Sequence, residues 1–448
     1  MEGVYDLRVR NGTVIPMVED GEFFTGDVLV RGGRIAGVTR GAARGVEAAE
    51  EIDASGCLVL PGLVQAHVHV VQSLLRHRAD HLELLDWLRL RTWPYEAALD
   101  GDAVEAAAEL GIAELLAGGT TTVLDFGTTH HHHRVFEAAR RLGIRFVSGM
   151  THMDTGDGVP SRLLREPDDS LAEAEAVGRR WHGAEGGRLR YAVAPRFAVS
   201  CTRALLEGCV RLARDNGWLL QTHASENRDE VELVRRSTGL ANVEYLDRVG
   251  LTGEDVVLAH GVHLEPHEVD LLARTRTRIC HCPGANLKLA SGIADLPRLL
   301  AAGVPLALGA DGPPCNNRLS AFSEMALAGT LHNLRYGPRA VSPWTVLALA
   351  TREGARALHL GDVTGTLAPG LAADLIVVDG TAWSLQPGGD PASRLVYGGA
   401  ACTVVHTVVG GRVLVRDRRL LSVNPAEIRE RVGAATEATL ARMKEWIP

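Results

Sequence analysis

The chain contains no run of 18 apolar residues, so no stretch of it reads as a membrane-spanning helix. Nor does it carry a long basic run. Its 448 residues sum to a net charge of -8, which argues against nucleic acid and anionic membrane surfaces as partners. The opening Met1-Glu2-Gly3-Val4-Tyr5-Asp6 has neither a basic head nor an apolar stretch, so no signal peptide is expected. Cysteine is scarce: seven scattered residues, an odd number that suits reduced thiols in a cytoplasmic protein better than a disulfide framework. Cys280 and Cys282 have no second pair at zinc-site spacing and read as the small apolar lining of a strand. No G-x-G-x-x-G follows an early strand, which disfavours a dinucleotide-binding sheet. Internal repeats and low-complexity segments are absent as well.

What is present is an ordinary globular composition, 46% hydrophobic and 23% charged, and enough length for two or three domains. Both ends are β-rich. Short strand patterns at 6–15, 26–31 and 34–39 are separated by Asn11-Gly12, Asp20-Gly21 and Gly32-Gly33. The same texture returns at 373–379, 402–409 and 412–415. Residues 1–57 and 366–423 are therefore expected to form one composite β-sandwich, with a C-terminal helix over 424–448. Between them, 58–365 alternates apolar strands with helical patterns. Eight strand candidates (57–67, 120–127, 145–153, 188–197, 218–224, 256–261, 277–282 and 305–311) predict an α/β fold, a (β/α)8 TIM barrel with its chemistry at the C-terminal strand ends.

Those strand ends carry the chemistry. Residues two apart on a strand share a side, so His67 and His69 in Pro61–His69 present both imidazoles to one point. The fifth strand ends in His223 and is followed by Glu226; the sixth ends in His260 and the eighth in Asp311. Taken singly, a strand-end histidine is usually a hydrogen-bonded core residue and Asp311-Gly312 is a turn. Together they converge on one mouth. Three imidazoles and a carboxylate suit a borderline divalent ion such as zinc, which lowers the pKa of its bound water towards about 7. Glu226 is placed to move that water's proton, and His260 to polarise or orient. A second metal would need a bridging acid or lysine at the end of strand four, which reads Ala194-Pro195-Arg196-Phe197 instead, so one ion is expected. The tract His130–His133 lies at a strand end and reads as a loop over the pocket. Segments 70–100, 128–134 and 312–320 follow strand ends and are expected to form its walls.

In PGLVQAHVH (61–69), THASENRDEVELV (222–234), VLAHGVHL (257–264), CHCPGANLKLASGI (280–293), LGADGPPCNN (308–317) and GTLAPGLAADLIVVD (365–379), the chain resembles the amidohydrolase superfamily. Its nearest likeness is to the triazine hydrolase and nucleobase deaminase branch. The resemblance implies one zinc (or iron) on His67, His69, His223 and Asp311, with Glu226 and His260 catalytic. It implies hydrolytic displacement at an aromatic C–N or C–Cl carbon. The expected activity is deamination of a purine or purine-like heterocycle with release of ammonia. A triazine hydrolase releasing chloride or an alkylamine is the alternative, and a non-catalytic ligand-binding barrel the alternative of another class. Trp87 and Glu96 fall where adenosine-type members place a stacking ring and a ribose-binding acid. Gln72 and Arg196 are similar to the carbonyl-binding pair of guanine deaminases. His130 and Phe197 complete the expected substrate contacts. Barrels of this branch are often dimers or tetramers, so a homo-oligomer is expected.

Overall fold

Eight apolar runs become the eight parallel strands of a barrel. In the computed structural model, which describes residues 4–447, they are Leu63–Val68, Thr120–Phe126, Arg145–Gly149, Leu189–Pro195, Leu219–Ala224, Val256–His260, Arg278–His281 and Leu306–Leu308. Each pairs in parallel with the next. Their side chains are buried almost without a break, as expected of strands covered on both faces. The third strand resumes after Met150 as Thr151–His152. The ring is closed by an isolated parallel bridge between Val68 and Asp311.

The covering helices start and stop where their caps dictate. Asp100, Thr202 and Asn227 accept hydrogen bonds from the first turns of Gly101–Ala117, Arg203–Asn216 and Arg228–Thr238. Gly143 and Gly217 end His133–Leu142 and Arg203–Asn216 in the left-handed conformation. Pro167–Trp181, Pro266–Thr275 and Leu296–Ala301 are further helices of the same alternation. Among the described residues, no helix is long and apolar enough to cross a membrane.

A second, mixed sheet of nine strands draws on both ends of the chain. Tyr5–Val14, Phe24–Arg31, Arg34–Arg40, Ala48–Asp53 and Leu58–Pro61 come from one end. Leu375–Val378, Val404–Val409, Arg412–Arg416 and Arg419–Leu420 come from the other. Its own core includes Leu7, Val28, Ile35, Val59, Leu375 and Val408. The two ends meet where Leu58–Pro61 runs antiparallel to Leu375–Val378. This corrects the single strand expected over 57–67. Leu58–Pro61 belongs to the second sheet and Leu63–Val68 to the barrel, with Gly62 between them. A Cβ on Gly62 would lie 2.0 Å from Thr121 Oγ1, so only glycine lets the chain pass from one sheet to the other. The helix Pro425–Met443 lies against Gly101–Ala117, where Arg431 Nε donates to Glu109 at 3.1 Å.

Candidate active site

The barrel mouth gathers the strand-end residues into one buried cluster. Donor atoms of His67, His223, His260 and Asp311 all lie within 4.8 Å of one another. His69 joins them, its Nε2 being 3.3 Å from Asp311 Oδ1 and 3.2 Å from His223 Nε2. His67 Nε2 is also 3.3 Å from Asp311 Oδ1. Three polar residues here hold a backbone that L-residues rarely adopt: Ser225, His260 and Asp311 have φ of 53°, 78° and 62°. Such strain persists only where the surroundings over-determine it, and it concentrates at functional sites.

The cluster is short of protons rather than rich in them. Burial lowers the pKa of His67, and lowers those of His69 and His223 far below the ordinary histidine value, so the imidazoles are neutral. His223 Nδ1 faces the carbonyl oxygen of Arg196 at 2.7 Å and must carry the hydrogen, leaving Nε2 as a lone pair. His260 Nδ1 is occupied in the same way by Asn286 Oδ1 at 2.8 Å. His67 Nε2 and His260 Nε2 are buried with no hydrogen-bond partner. Orphaned lone pairs that converge on a carboxylate leave a strong unmet need for positive charge, and a divalent cation with nitrogen and oxygen ligands answers it.

Glu226 stands beside this cluster. Its Oε2 is 3.4 Å from His260 Nε2 and its Oε1 is buried without a partner. Burial, then the charges of Asp311 and Glu230, raises its pKa well above the ordinary carboxyl value. Glu230, which sequence reasoning did not single out, fixes its position by accepting from Glu226 N at 2.8 Å. Asn286 was likewise missed. The only trace of either lies inside the quoted motifs, where a supporting residue looks like any helix residue.

A narrow pocket opens beside Glu226 and Asp311. Its walls include Gln72, Trp87, Arg196 and Phe197, which the sequence singled out, and Leu84, Leu88 and Leu289, which it did not. Glu96 lies behind this wall. Gln72 Nε2 donates to its Oε1 at 3.0 Å and Arg196 Nη1 to its Oε2 at 2.5 Å, an ion pair with both side chains nearly fully buried. Gln72 Oε1 and the Trp87 indole N–H remain buried and unpartnered. His130 is not among the residues lining this pocket, and its Nε2 lies 2.7 Å from the carbonyl oxygen of Arg162. The neighbouring His132 lies 3.2 Å from Ser148 Oγ, and the lining residues of this pocket come from neither 128–134 nor 312–320. A wall comes instead from Leu289, after strand seven. Cys280 and Cys282 are fully buried, their sulfurs 3.9 Å apart.

A closed parallel barrel with histidines and an aspartate at its C-terminal mouth defines a metal-dependent hydrolase. Residues 58–414 match the amidohydrolase family, and the chain belongs to that family. It is 39% identical to a 5-methylthioadenosine/S-adenosylhomocysteine deaminase of Syntrophobacter fumaroxidans, over 95% of this chain and 97% of that one. It is 36% identical to a 5'-deoxyadenosine deaminase of Methanothermobacter thermautotrophicus, over 94% and 96% of the two chains. Among solved structures it is similar to a zinc-bound adenosine deaminase from Xanthomonas campestris. That likeness has a TM-score of 0.91 and 29% identity, and covers 98% of this chain and 99% of that one.

Proposed function

We propose that this protein is an aminohydrolase that removes the amino group of a purine or purine-like heterocycle as ammonia, with one divalent ion, zinc by preference over iron. The observation that carries the reading is Glu226: a buried carboxyl with a raised pKa, one oxygen free, beside a cluster of neutral imidazoles and at the pocket wall. The names of the relatives support the purine class, and the zinc in the similar adenosine deaminase supports the choice of ion.

In this reading His67, His69, His223 and Asp311 hold the ion. His260 belongs to the same cluster, but its Nε2 is nearer Glu226 Oε2, at 3.4 Å, than Asp311 Oδ2, at 3.9 Å, and this reading keeps it for the attacking water. The ion, when bound, acidifies a water molecule and so supplies a nucleophile at neutral pH. Glu226 takes a proton from the attacking water and passes it to the ring nitrogen next to the amino-bearing carbon. The carbon–nitrogen bond then breaks, the amino group leaves with a proton as ammonia, and the ring keeps the oxygen as a carbonyl. His260, fixed by Asn286, accepts a hydrogen bond from the attacking water and aims it. Trp87, Phe197, Leu84 and Leu88 exclude bulk water and flank the ring. Arg196 and Gln72, anchored on Glu96, face its polar edge.

We assign catalysis to 58–365, with 1–57 and 366–423 as a supporting β unit and 424–448 as a closing helix. The enzyme works in the cytoplasm as a dimer or tetramer, a reading consistent with seven free thiols. The test is ammonia release by the zinc-loaded protein from adenosine, 5'-deoxyadenosine, S-adenosylhomocysteine, guanine, a pterin, cytosine and melamine. Turnover of a nucleoside gives Glu96 a ribose to bind. Turnover of guanine or pterin makes Gln72 and Arg196 the selecting pair. Silence on the panel with chloride released from a chlorotriazine overturns the deaminase reading.

A further inference from the structure

Four arginines gather at the end of the barrel opposite the mouth. Arg145 opens the third barrel strand and Arg188 immediately precedes the fourth. Arg34 and Arg412 each begin the second strand of a hairpin in the other sheet, after the turns Gly32-Gly33 and Gly410-Gly411. The two turns are pressed together. A Cβ on Gly33 would lie 2.7 Å from Gly410 O, and one on Gly411 would lie 2.8 Å from Gly33 Cα. Both glycines also have positive φ, 73° and 76°. Only glycine permits that approach, and it sets Arg34 and Arg412 on the rim of the same cleft as Arg145 and Arg188.

The cleft is not neutralised from within. Asp374 is used up by Arg145, in a two-pronged pair at 2.7 and 3.1 Å, and by Gly410 N at 2.7 Å. Glu185 sits 3.2 Å from Arg188, whose remaining donors go to the carbonyl oxygens of Ile144, Ala139 and Arg140. Among the described residues the Arg34 guanidinium meets only the carbonyl oxygen of Gly370, at 2.8 Å, and no carboxylate. The Arg412 side chain makes no hydrogen bond or ion pair with any described residue, its backbone alone being paired, with Val409. Asp6 also reaches the cleft, accepting from Gly32 N, so four guanidiniums against three carboxylates leave an excess of one positive charge, in a chain whose net charge is -8. Burial lowers the pKa of Arg188 against the pull of Glu185, and the charges of Arg412 and Arg145 add to that lowering. The guanidiniums repel one another across the cleft.

We propose that this cleft binds a phosphate-bearing polyanion, with Arg412 and the donors Arg34 has left beside its bond to Gly370 gripping its oxygens. Guanidinium matches phosphate in planar, two-pronged geometry, and two unpaired heads match a diphosphate better than a single monovalent ion. The cleft opens to solvent with a cavity of about 360 Å³, room for a diphosphate, and a nucleotide's remainder would extend into solvent. Because its walls come from both sheets, the bound anion clamps the second sheet to the foot of the barrel.

The test is calorimetric titration of the full-length, zinc-loaded protein with inorganic pyrophosphate and with uridine 5'-diphosphate, at ionic strength matched with sodium chloride. The comparison protein is the double variant Arg34→Ala, Arg412→Ala. Its metal site is unchanged, so any heat of metal exchange is common to both and cancels. Binding is expected to weaken at least about tenfold in the variant, with ammonia release unaltered. Equal affinity for the two probes identifies the diphosphate as the recognised group, and tighter binding of the nucleotide identifies a nucleotide-borne one. Should the double variant fold poorly, Arg412→Ala alone serves, since Arg412 gives up no contact. Indistinguishable titrations of wild type and variant, or equal heats with sodium chloride alone, overturn the proposal.

Discussion

The backbone N–H of Asp311 donates to the carbonyl oxygen of His67 at 3.1 Å, so the hydrogen bond that closes the barrel also joins two members of the candidate metal cluster. Ring closure and the spacing of the cluster are therefore one constraint. Changing Asp311→Asn keeps the backbone bond but removes the charge. Metal affinity is expected to fall by more than the about 10–100-fold typical of lost supporting contacts, with little change in the fold. Metal analysis after dialysis, read beside the circular dichroism spectrum, decides this. A variant that keeps one zinc per chain would remove Asp311 from the ligand set.

Glu226→Gln separates proton transfer from metal binding. The amide keeps the shape and loses the movable proton, so kcat is expected to drop about 10²–10⁴-fold while metal content stays at one per chain. The acid limb of the wild-type kcat/KM profile should report the protonation of Glu226, whose pKa burial raises and the charge of a bound ion lowers. That limb should vanish from the residual activity of the variant. Undiminished turnover would assign the proton transfer elsewhere, and loss of the metal would make Glu226 a ligand or its support.

Much of this was legible because barrel strands are short apolar runs and their ends carry the chemistry. His223 stands one residue before the end of its strand, and His260 ends its own as expected. Asp311 does not: its strand stops at Leu308, and the residue is placed by a tertiary bridge that no local pattern encodes. The strand Ala48–Asp53 went unseen because half its residues face solvent and its letters are mostly small or acidic. Pairing with Tyr5–Val14 makes it a strand. His130 shows the opposite limit. Its position at a strand end was readable, but side-chain direction depends on Arg162, thirty-two residues away.

Arg196 and Glu96 form a coupled pair whose removal should be strongly asymmetric. Arg196→Ala strands a buried carboxylate already used by Gln72, so a loss of about 3–5 kcal/mol in unfolding free energy is expected. Adding Glu96→Gln should restore part of that loss, because the remaining amide carries no charge. Urea unfolding of the two single variants and the double measures the coupling. Additive losses would show that the pair contributes nothing as a pair. Substrate preference in the same variants reports which member faces the ring.

Three buried histidines make the fold sensitive to acid. Burial pushes His132, His152 and His281 down to about 3, far below the ordinary value of 6.5. A lowered pKa means that the unfolded chain takes up a proton below about 6.5 which the folded chain refuses. Their contribution is therefore fully present above pH 6.5 and drains away as pH falls from there towards about 3. Over that window the unfolding free energy should fall by up to about 1.4 kcal/mol per pH unit for each histidine. His281 is the sharpest case, since both its ring nitrogens are buried without partners. His281→Leu removes one such proton uptake, and the slope of stability against pH between 6 and 5 should flatten by about one proton. Urea unfolding across that range measures it, and an unchanged slope would mean that His281 titrates in the folded protein as freely as in the unfolded chain.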